Sequence, residues 1–292
     1  MDIEEPNNNF NFKDVSMDIV QNDNDNGNNN IIKNVPSEND YQFCGLISGM
    51  KRYKTIPIGD SEKINNRSLV EITGEAGTGK SKMCYYFALK TILPEKYGGL
   101  EKSCLFITTY KRLNEENLSE FFEVPARNLG LNEKEEEIVF RRLIYKHLGF
   151  EEFQQFFNER FEQYLIENNV QTLIIDNISS LCEEKFQEYK AYNYPARHKF
   201  LFDLFFQLNG IILRYNLFCF CVNEVRAQIS EYERARGDLK PAMGKTWENN
   251  LGTRLFLKKN TNTKQRWIQV DFSNYLIKQF IEFRITNNGI EF

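Results

Sequence analysis

Gly74-Glu-Ala-Gly-Thr-Gly-Lys-Ser81 (GEAGTGKS) is the stretch that decides the fold, because it matches the phosphate-binding loop pattern. Glycines allow the backbone to curl until successive N–H groups point at the phosphates of a nucleotide. Lys80 is predicted to reach the β- and γ-phosphates, and the Ser81 hydroxyl is predicted to bind a magnesium ion. The predicted nucleotide-binding residues here are Gly74, Glu75, Ala76, Gly77, Thr78, Gly79, Lys80 and Ser81.

The segments on either side of the loop fit the same interpretation. Residues 68–73 (SLVEIT) have the composition of a strand, and residues 82–90 (KMCYYFALK) that of a helix. The N-terminus of such a helix favours bound anions. A chance glycine-rich turn is the alternative, and the flanking strand and helix disfavour it. The sequence therefore predicts a site for a nucleoside triphosphate.

A second site element is predicted at Val170–Asp176, an apolar strand that ends in an acid. An aspartate at the C-terminal end of such a strand can hold magnesium through water, which makes Asp176 the second predicted magnesium residue. Alone, this acid could equally begin a turn or cap a helix. The upstream loop favours the nucleotide-site interpretation.

Charge is unevenly distributed along the 292 residues, whose net charge is −4. Residues 1–40 hold twelve asparagines and carry a balance of −7, which leaves the remaining 252 residues at +3. Few large apolar side chains occur in this first segment, so we predict a disordered tail at 1–40 and a folded domain at 41–292. The acidic, asparagine-rich N-terminus predicts no signal peptide, and charged and polar residues interrupt the most apolar span, 200–222, which predicts no membrane helix.

The six cysteines include no CxxC pair, and there are only two histidines, so a zinc site is disfavoured. Cys219 and Cys221 lie two apart in an apolar segment and should face the same side of a strand. Free thiols packed as small apolar groups are the favoured interpretation.

Strands and helices alternate along the rest of the chain. Strands are expected at 104–108, 142–146, 170–176, 217–222, 253–258, 266–271 and 280–285, and helices at about 150–168 and 197–209. This alternation predicts a mostly parallel sheet with helices on both faces and a ligand at the C-terminal ends of its strands. Residues 225–252 are expected to be loop and turn. Residues 226–268 carry a balance of +6, which is compatible with contact to a phosphate backbone or with an ordinary solvated surface.

Several segments, in order, resemble the core of the RecA-type recombinases, specifically the eukaryotic recombinase paralogues. They are SLVEITGEAGTGKS, YGGLEKSCLFITTYKRL, TLIIDNISSL, CFCVNEVRAQ, PAMGKTWENNLGTRLFL and FRITNNGIEF. The run Pro241–Asn250 most resembles the X-ray-repair cross-complementing group three branch. The resemblance covers about residues 41–292.

This resemblance implies a RecA-like P-loop NTPase core that uses ATP and Mg²⁺ in homologous recombination and double-strand break repair. It also implies a nuclear location, binding to single-stranded or branched DNA, a second paralogue as partner, and support of recombinase filament assembly. The family's two DNA-facing loops correspond to about 180–194 and about 226–240. In the second loop, the candidates for phosphate contact are Arg226, Arg234, Arg236 and Lys240.

Two positions depart from the family pattern. Tyr110 stands where active recombinases carry the glutamate that activates water, and tyrosine is a poor base near neutral pH. Glu115 or Glu116 could replace that acid only if the chain folds back. Glu224 stands where the family usually has a glutamine that senses the γ-phosphate, and a carboxylate there would repel a polyphosphate.

Three hypotheses therefore follow from the sequence. The chain could be a recombination paralogue with weak ATPase activity, a non-enzymatic assembly subunit that binds ATP, or an unrelated phosphoryl-transfer enzyme that shares only the loop.

Overall fold

The computed structural model describes residues 53–110, 112, 119–187, 194–227 and 239–292. The tail predicted at 1–40 lies outside these residues. Within the described part of the chain the strands are β1 (Thr55–Pro57), β2 (Lys63–Asn65), β3 (Ser68–Gly74), β4 (Ser103–Thr108), β5 (Leu143–His147), β6 (Val170–Asp176), β7 (Phe218–Ala227), β8 (Leu239–Pro241), β9 (Thr253–Lys259), β10 (Arg266–Ser273), β11 (Phe280–Thr286) and β12 (Gly289–Glu291).

Ten of these strands form one sheet in the order β12-β11-β10-β9-β3-β7-β6-β4-β5, with β8 paired to β7. The pairings from β9 across to β5 are all parallel, whereas β10, β11 and β12 add antiparallel strands at one edge. β1 and β2 form a separate antiparallel pair. The mostly parallel sheet predicted from the sequence is confirmed, and it brings the C-terminal ends of β3, β7, β6 and β4 to one edge.

Helices cover both faces of the sheet. They are α1 (Lys80–Ile92), α2 (Val124–Asn128), α3 (Glu133–Arg141), α4 (Phe150–Glu159), α5 (Phe161–Glu167), α6 (Ile178–Gln187), α7 (Tyr194–Tyr215) and α8 (Lys245–Glu248), with a 3₁₀ turn at Glu95–Tyr97 and a π turn at Ser119–Glu123. No helix within the described residues is long and apolar enough to cross a membrane.

Alternating residues of the strands divide the core between the two faces. The face under α1 holds Phe87 and Phe220, whose rings stack with centroids 4.0 Å apart. The opposite face holds Cys219, Cys221 and Trp247, all fully buried. As predicted, the two cysteines face the same side and are free thiols.

Three sequence expectations about helices are corrected. The helix expected at 150–168 is two helices separated at Arg160, and the helix expected at 197–209 is the longer α7. The DNA-facing loop expected at about 180–194 is helical up to Gln187, because Ile178, Leu181 and Cys182 are buried at helical spacing. Residues 188–193 of that expected loop lie outside the described residues.

The segment 225–252, expected to be loop and turn, also contains regular structure. β7 continues to Ala227 and pairs with β8, and α8 follows. The fully buried Trp247 holds α8 against the core, where its ring meets the Phe205 ring edge-on. One large side chain therefore orders a stretch whose composition suggests loop.

Candidate nucleotide site

Backbone conformation shapes the loop between β3 and α1. Gly74, Gly77 and Gly79 have φ values of 148°, 76° and 110°, which residues with a side chain rarely adopt. At Gly74 there is also no room, because a Cβ atom would lie 2.3 Å from the carbonyl oxygen of Leu257 in the neighbouring strand β9. Close packing between β3 and β9 thus requires glycine at the first position of the motif.

Lys80 lies across the loop that precedes it. Its Nζ donates hydrogen bonds to the carbonyl oxygens of Gly74, at 2.8 Å, and Glu75, at 3.0 Å. Burial lowers the pKa of Lys80, whereas the charges of Glu224 and Asp176 oppose this change. The ammonium group is therefore held by two backbone oxygens and feels the negative charges of Glu224 and Asp176.

Thr78 differs from its exposed neighbours in the loop. It is buried, and its hydroxyl donates a 2.8 Å hydrogen bond to the carbonyl oxygen of Glu75. Glu75, Ala76 and Gly77 are exposed at the tip. Thr78 therefore stabilises the loop from within, whereas the tip is open to solvent.

Ser81 and Asp176, the two predicted magnesium residues, are brought together. Asp176 ends β6, and its carboxylate accepts a hydrogen bond from the Ser81 side chain at the start of α1. Burial raises the pKa of Asp176, the hydrogen bond from Ser81 and the charge of Lys80 lower it, and Glu224 raises it further. One hydroxyl and one carboxylate, completed by water and phosphate oxygens, would form a donor set that suits Mg²⁺. The described residues contain no cluster of three or more His, Cys, Asp or Glu that could hold a metal without such help.

Glu224 occupies the middle of the site because β7 lies between β3 and β6. It pairs in register with Gly74, and its Oε1 accepts a 3.1 Å hydrogen bond from Nδ2 of Asn177. Its backbone N–H donates to the Ser179 hydroxyl at 3.2 Å. This carboxylate therefore lies between the loop and the Asp176 strand.

The end of β4 presents no carboxylate at the expected position. Tyr110 follows this strand, and its side chain is 79% exposed. The preceding Thr109 is buried and donates a 2.6 Å hydrogen bond to the carbonyl oxygen of Asn177. Glu115 and Glu116, the suggested replacements, lie outside the described residues.

One polar cluster at this edge was missed by the sequence reasoning. The hydroxyl of Thr108 lies 2.7 Å from the Tyr145 hydroxyl and 3.2 Å from Nδ1 of His147. Thr108 pairs in register with both Asp176 and His147. To predict this cluster from the sequence, one would need to know that β4 and β5 are neighbours and how they are aligned. Periodicity alone does not reveal which strands are neighbours.

Comparison with families of known proteins shows that residues 44–292 match the family described as Rad51. The chain belongs to the Rad51 family. The resemblance to the RecA-type recombinases and the RecA-like fold are thereby confirmed.

Individual relatives of this Rad51-family chain are distant. It is 26% identical over 211 residues to the human "DNA repair protein RAD51 homolog 2", covering 65% of this chain and 55% of the relative. It is 31% identical over 86 residues to "DNA repair and recombination protein RadA" of Aeropyrum pernix (29% of this chain, 26% of the relative). It is 38% identical over 65 residues to "DNA repair protein rhp57" of Schizosaccharomyces pombe (22% and 16%). The chain thus spans about half the length of the first of these relatives and less of the others.

The predicted DNA-facing residues of this Rad51-family chain are only partly described. Arg226, expected in a loop, lies in β7 opposite Lys240 of β8, because the strand continues beyond the nucleotide site. Its guanidinium forms an ion pair with Glu183 of α6. Arg234 and Arg236 lie outside the described residues.

A buried polar network lies behind the site on the opposite face of β3 and β7. Glu71 accepts hydrogen bonds from Arg254 and, at 2.7 Å, from Nδ2 of Asn223. Arg254 also donates to Glu248 at 2.7 Å. Burial raises the pKa of Glu71, and the charge of Arg254 opposes this change. The network joins α8, from the Pro241–Asn250 run, to the strand that carries the loop.

Proposed function

We propose that this Rad51-family chain binds ATP with Mg²⁺, acts in DNA repair by homologous recombination, and hydrolyses ATP weakly or not at all. One observation carries the proposal. Lys80, Ser81 and Asp176 converge at the C-terminal edge of the sheet, while Tyr110 provides no carboxylate beside them. The site is thus equipped to bind and poorly equipped to activate water.

Each residue has a separate role in binding. The exposed N–H groups at the loop tip, residues 75–77, face the phosphates, and Lys80 moves from its two carbonyl partners to the phosphate oxygens. Ser81 and Asp176, already in contact, would hold the magnesium ion. The ion, when bound, neutralises charge on the phosphate oxygens.

Hydrolysis is slow in this proposal because no described carboxylate takes the place of Tyr110. A positioned general base contributes about 10²–10⁴-fold to a rate, so its loss leaves binding intact and removes most turnover. Glu115 and Glu116 remain candidate replacements.

The wider role rests on the family and on the relatives' names, which include DNA repair and recombination. We propose that the chain works in the nucleus on single-stranded or branched DNA, with another paralogue as partner, and supports assembly of the recombinase filament. Contact with phosphates is assigned to Arg226, Arg234, Arg236 and Lys240. We propose that the chain divides into a tail at 1–40 and an ATP-binding domain at 41–292. Its similarity to the X-ray-repair cross-complementing group three branch stays a prediction.

A second candidate function is a non-enzymatic assembly subunit in which ATP stabilises an interface. The exposed Tyr110 ring favours it, since an exposed aromatic side chain beside a nucleotide site suits a protein contact. The third hypothesis, an unrelated phosphoryl-transfer enzyme, is disfavoured by the Rad51 match over residues 44–292.

The test is ATP binding and turnover on the purified chain, with and without single-stranded DNA, beside Lys80→Ala. Binding that depends on Lys80, with negligible turnover, is expected. Turnover close to that of an active recombinase would refute the weak hydrolysis, and absence of binding would refute the nucleotide site.

A further inference from the structure

The position of Glu224 puts a fixed negative charge where the end of a polyphosphate must pass. The loop after β3 cradles the inner phosphates, and Asp176 ends β6 on the far side of β7. Any chain of phosphates that reaches from the loop toward Asp176 therefore crosses the end of β7. Glu224 is the residue there, in register with Gly74.

The Glu224 side chain is held in place by hydrogen bonds. Its Oε1 accepts from Nδ2 of Asn177 at 3.1 Å, and its backbone N–H is fixed by Ser179. Among the described residues, no lysine or arginine forms a salt bridge with it. Lys80 senses the charge of Glu224, but its Nζ is already bonded to two carbonyl oxygens of the loop.

From this geometry we infer that the site favours a nucleoside diphosphate over a triphosphate, and that Glu224 sets this preference. The inference rests on the proposed nucleotide site and names its ligand more closely. A terminal phosphate would bring further negative charge beside the carboxylate of Glu224, and two like charges at such a short distance repel each other. A diphosphate ends before this position and escapes most of the repulsion.

The charge of Glu224 also affects the pKa values of two neighbouring groups in the site, Lys80 and Asp176. Among the charged groups around Lys80, Glu224 raises the pKa of the ammonium group most, ahead of Asp176. Glu224 also raises the pKa of Asp176. The carboxylate thus acts on both the cation that receives the phosphates and the acid assigned to magnesium.

The test compares two affinities on the full chain by calorimetry: Mg²⁺-ADP and the Mg²⁺ complex of a non-hydrolysable ATP analogue. The native chain should bind the diphosphate more tightly. Glu224→Gln should raise affinity for the triphosphate analogue about tenfold relative to the diphosphate. Added salt should reduce the preference of the native chain and have little effect on that of the variant.

Glu137→Gln is the matched control, because it makes the same chemical change at an exposed residue of α3 paired with Arg141. It should leave both affinities unchanged. Thermal unfolding of Glu224→Gln checks that the variant is folded. Equal binding of the two nucleotides by the native chain, or an unchanged ratio in folded Glu224→Gln, overturns the inference and leaves the proposed function standing. If neither nucleotide binds, both fail.

Discussion

Glu71 and Arg254 face each other directly across the parallel strands β3 and β9, and they form an ion pair inside the protein. The side chain of Glu71 is fully buried and that of Arg254 is 5% exposed. A buried carboxylate that loses its cationic partner remains charged in a medium of low polarity, or takes up a proton at a cost in free energy.

Arg254→Met should therefore lower the free energy of unfolding by about 3–5 kcal/mol. Chemical denaturation is the measurement. Arg214→Ala is the control, because Arg214 pairs with Glu162 at the surface, where solvent screens the pair and its loss should change stability little. Equal losses in the two variants would show that burial of the Glu71–Arg254 pair is unimportant.

Gly74→Ala should destabilise the protein by about 3 kcal/mol, since the new methyl group meets the Leu257 carbonyl oxygen and φ is positive. Gly77→Ala has positive φ but open space around its Cβ, and about 1 kcal/mol is expected. Thermal unfolding of both variants separates crowding from backbone strain. A larger loss in Gly77→Ala would contradict the packing argument.

Tyr110→Glu should restore a carboxylate at the end of β4 and raise ATP turnover about a hundredfold. The substitution should not affect folding, because the Tyr110 side chain is exposed. A steady-state phosphate-release assay is the measurement, with Tyr110→Gln as the uncharged control. Unchanged turnover with intact ATP binding would mean that the missing acid is not what limits hydrolysis.

The predicted DNA contacts should contribute unequally. Arg234→Ala and Arg236→Ala should each reduce affinity for single-stranded DNA and lower the slope of log affinity against log salt by about 0.7. Arg226→Ala should have a smaller effect, because Arg226 is already paired with Glu183. Fluorescence anisotropy across a salt series measures the slope. Glu183→Gln, which releases Arg226, should strengthen binding, and weaker binding would contradict this ranking.

Much of the fold could be predicted from local signals. The loop motif and the apolar runs at β3, β4, β6 and β7 locate the central strands, because buried parallel strands are continuously apolar. Helix α6 and strands β1, β2, β8 and β12 were missed. The helical spacing of Ile178, Leu181 and Cys182 is visible in the sequence, but the family resemblance assigned that segment to a loop. Helix α8 depends on one buried tryptophan, a tertiary effect that composition does not reveal.

The candidate site was predicted as two separate pieces, the loop and Asp176. The sequence does not reveal that β7 lies between the strand before the loop and the strand that ends in Asp176, because strand order is set by long-range packing. For the same reason the Thr108 cluster with Tyr145 and His147, and the pairing of Arg226 with Glu183, became visible only in three dimensions.

The sheet order also has a consequence for synthesis of the protein. The two neighbours of β3 are β7 and β9, which come from the last third of the chain, residues 218–227 and 253–259. On the ribosome, β3 must wait without partners until those residues emerge, and contacts so distant along the chain form slowly. The apolar residues Leu69, Val70 and Ile72 stay exposed during that interval, so the nascent chain needs protection from aggregation before its nucleotide loop can form.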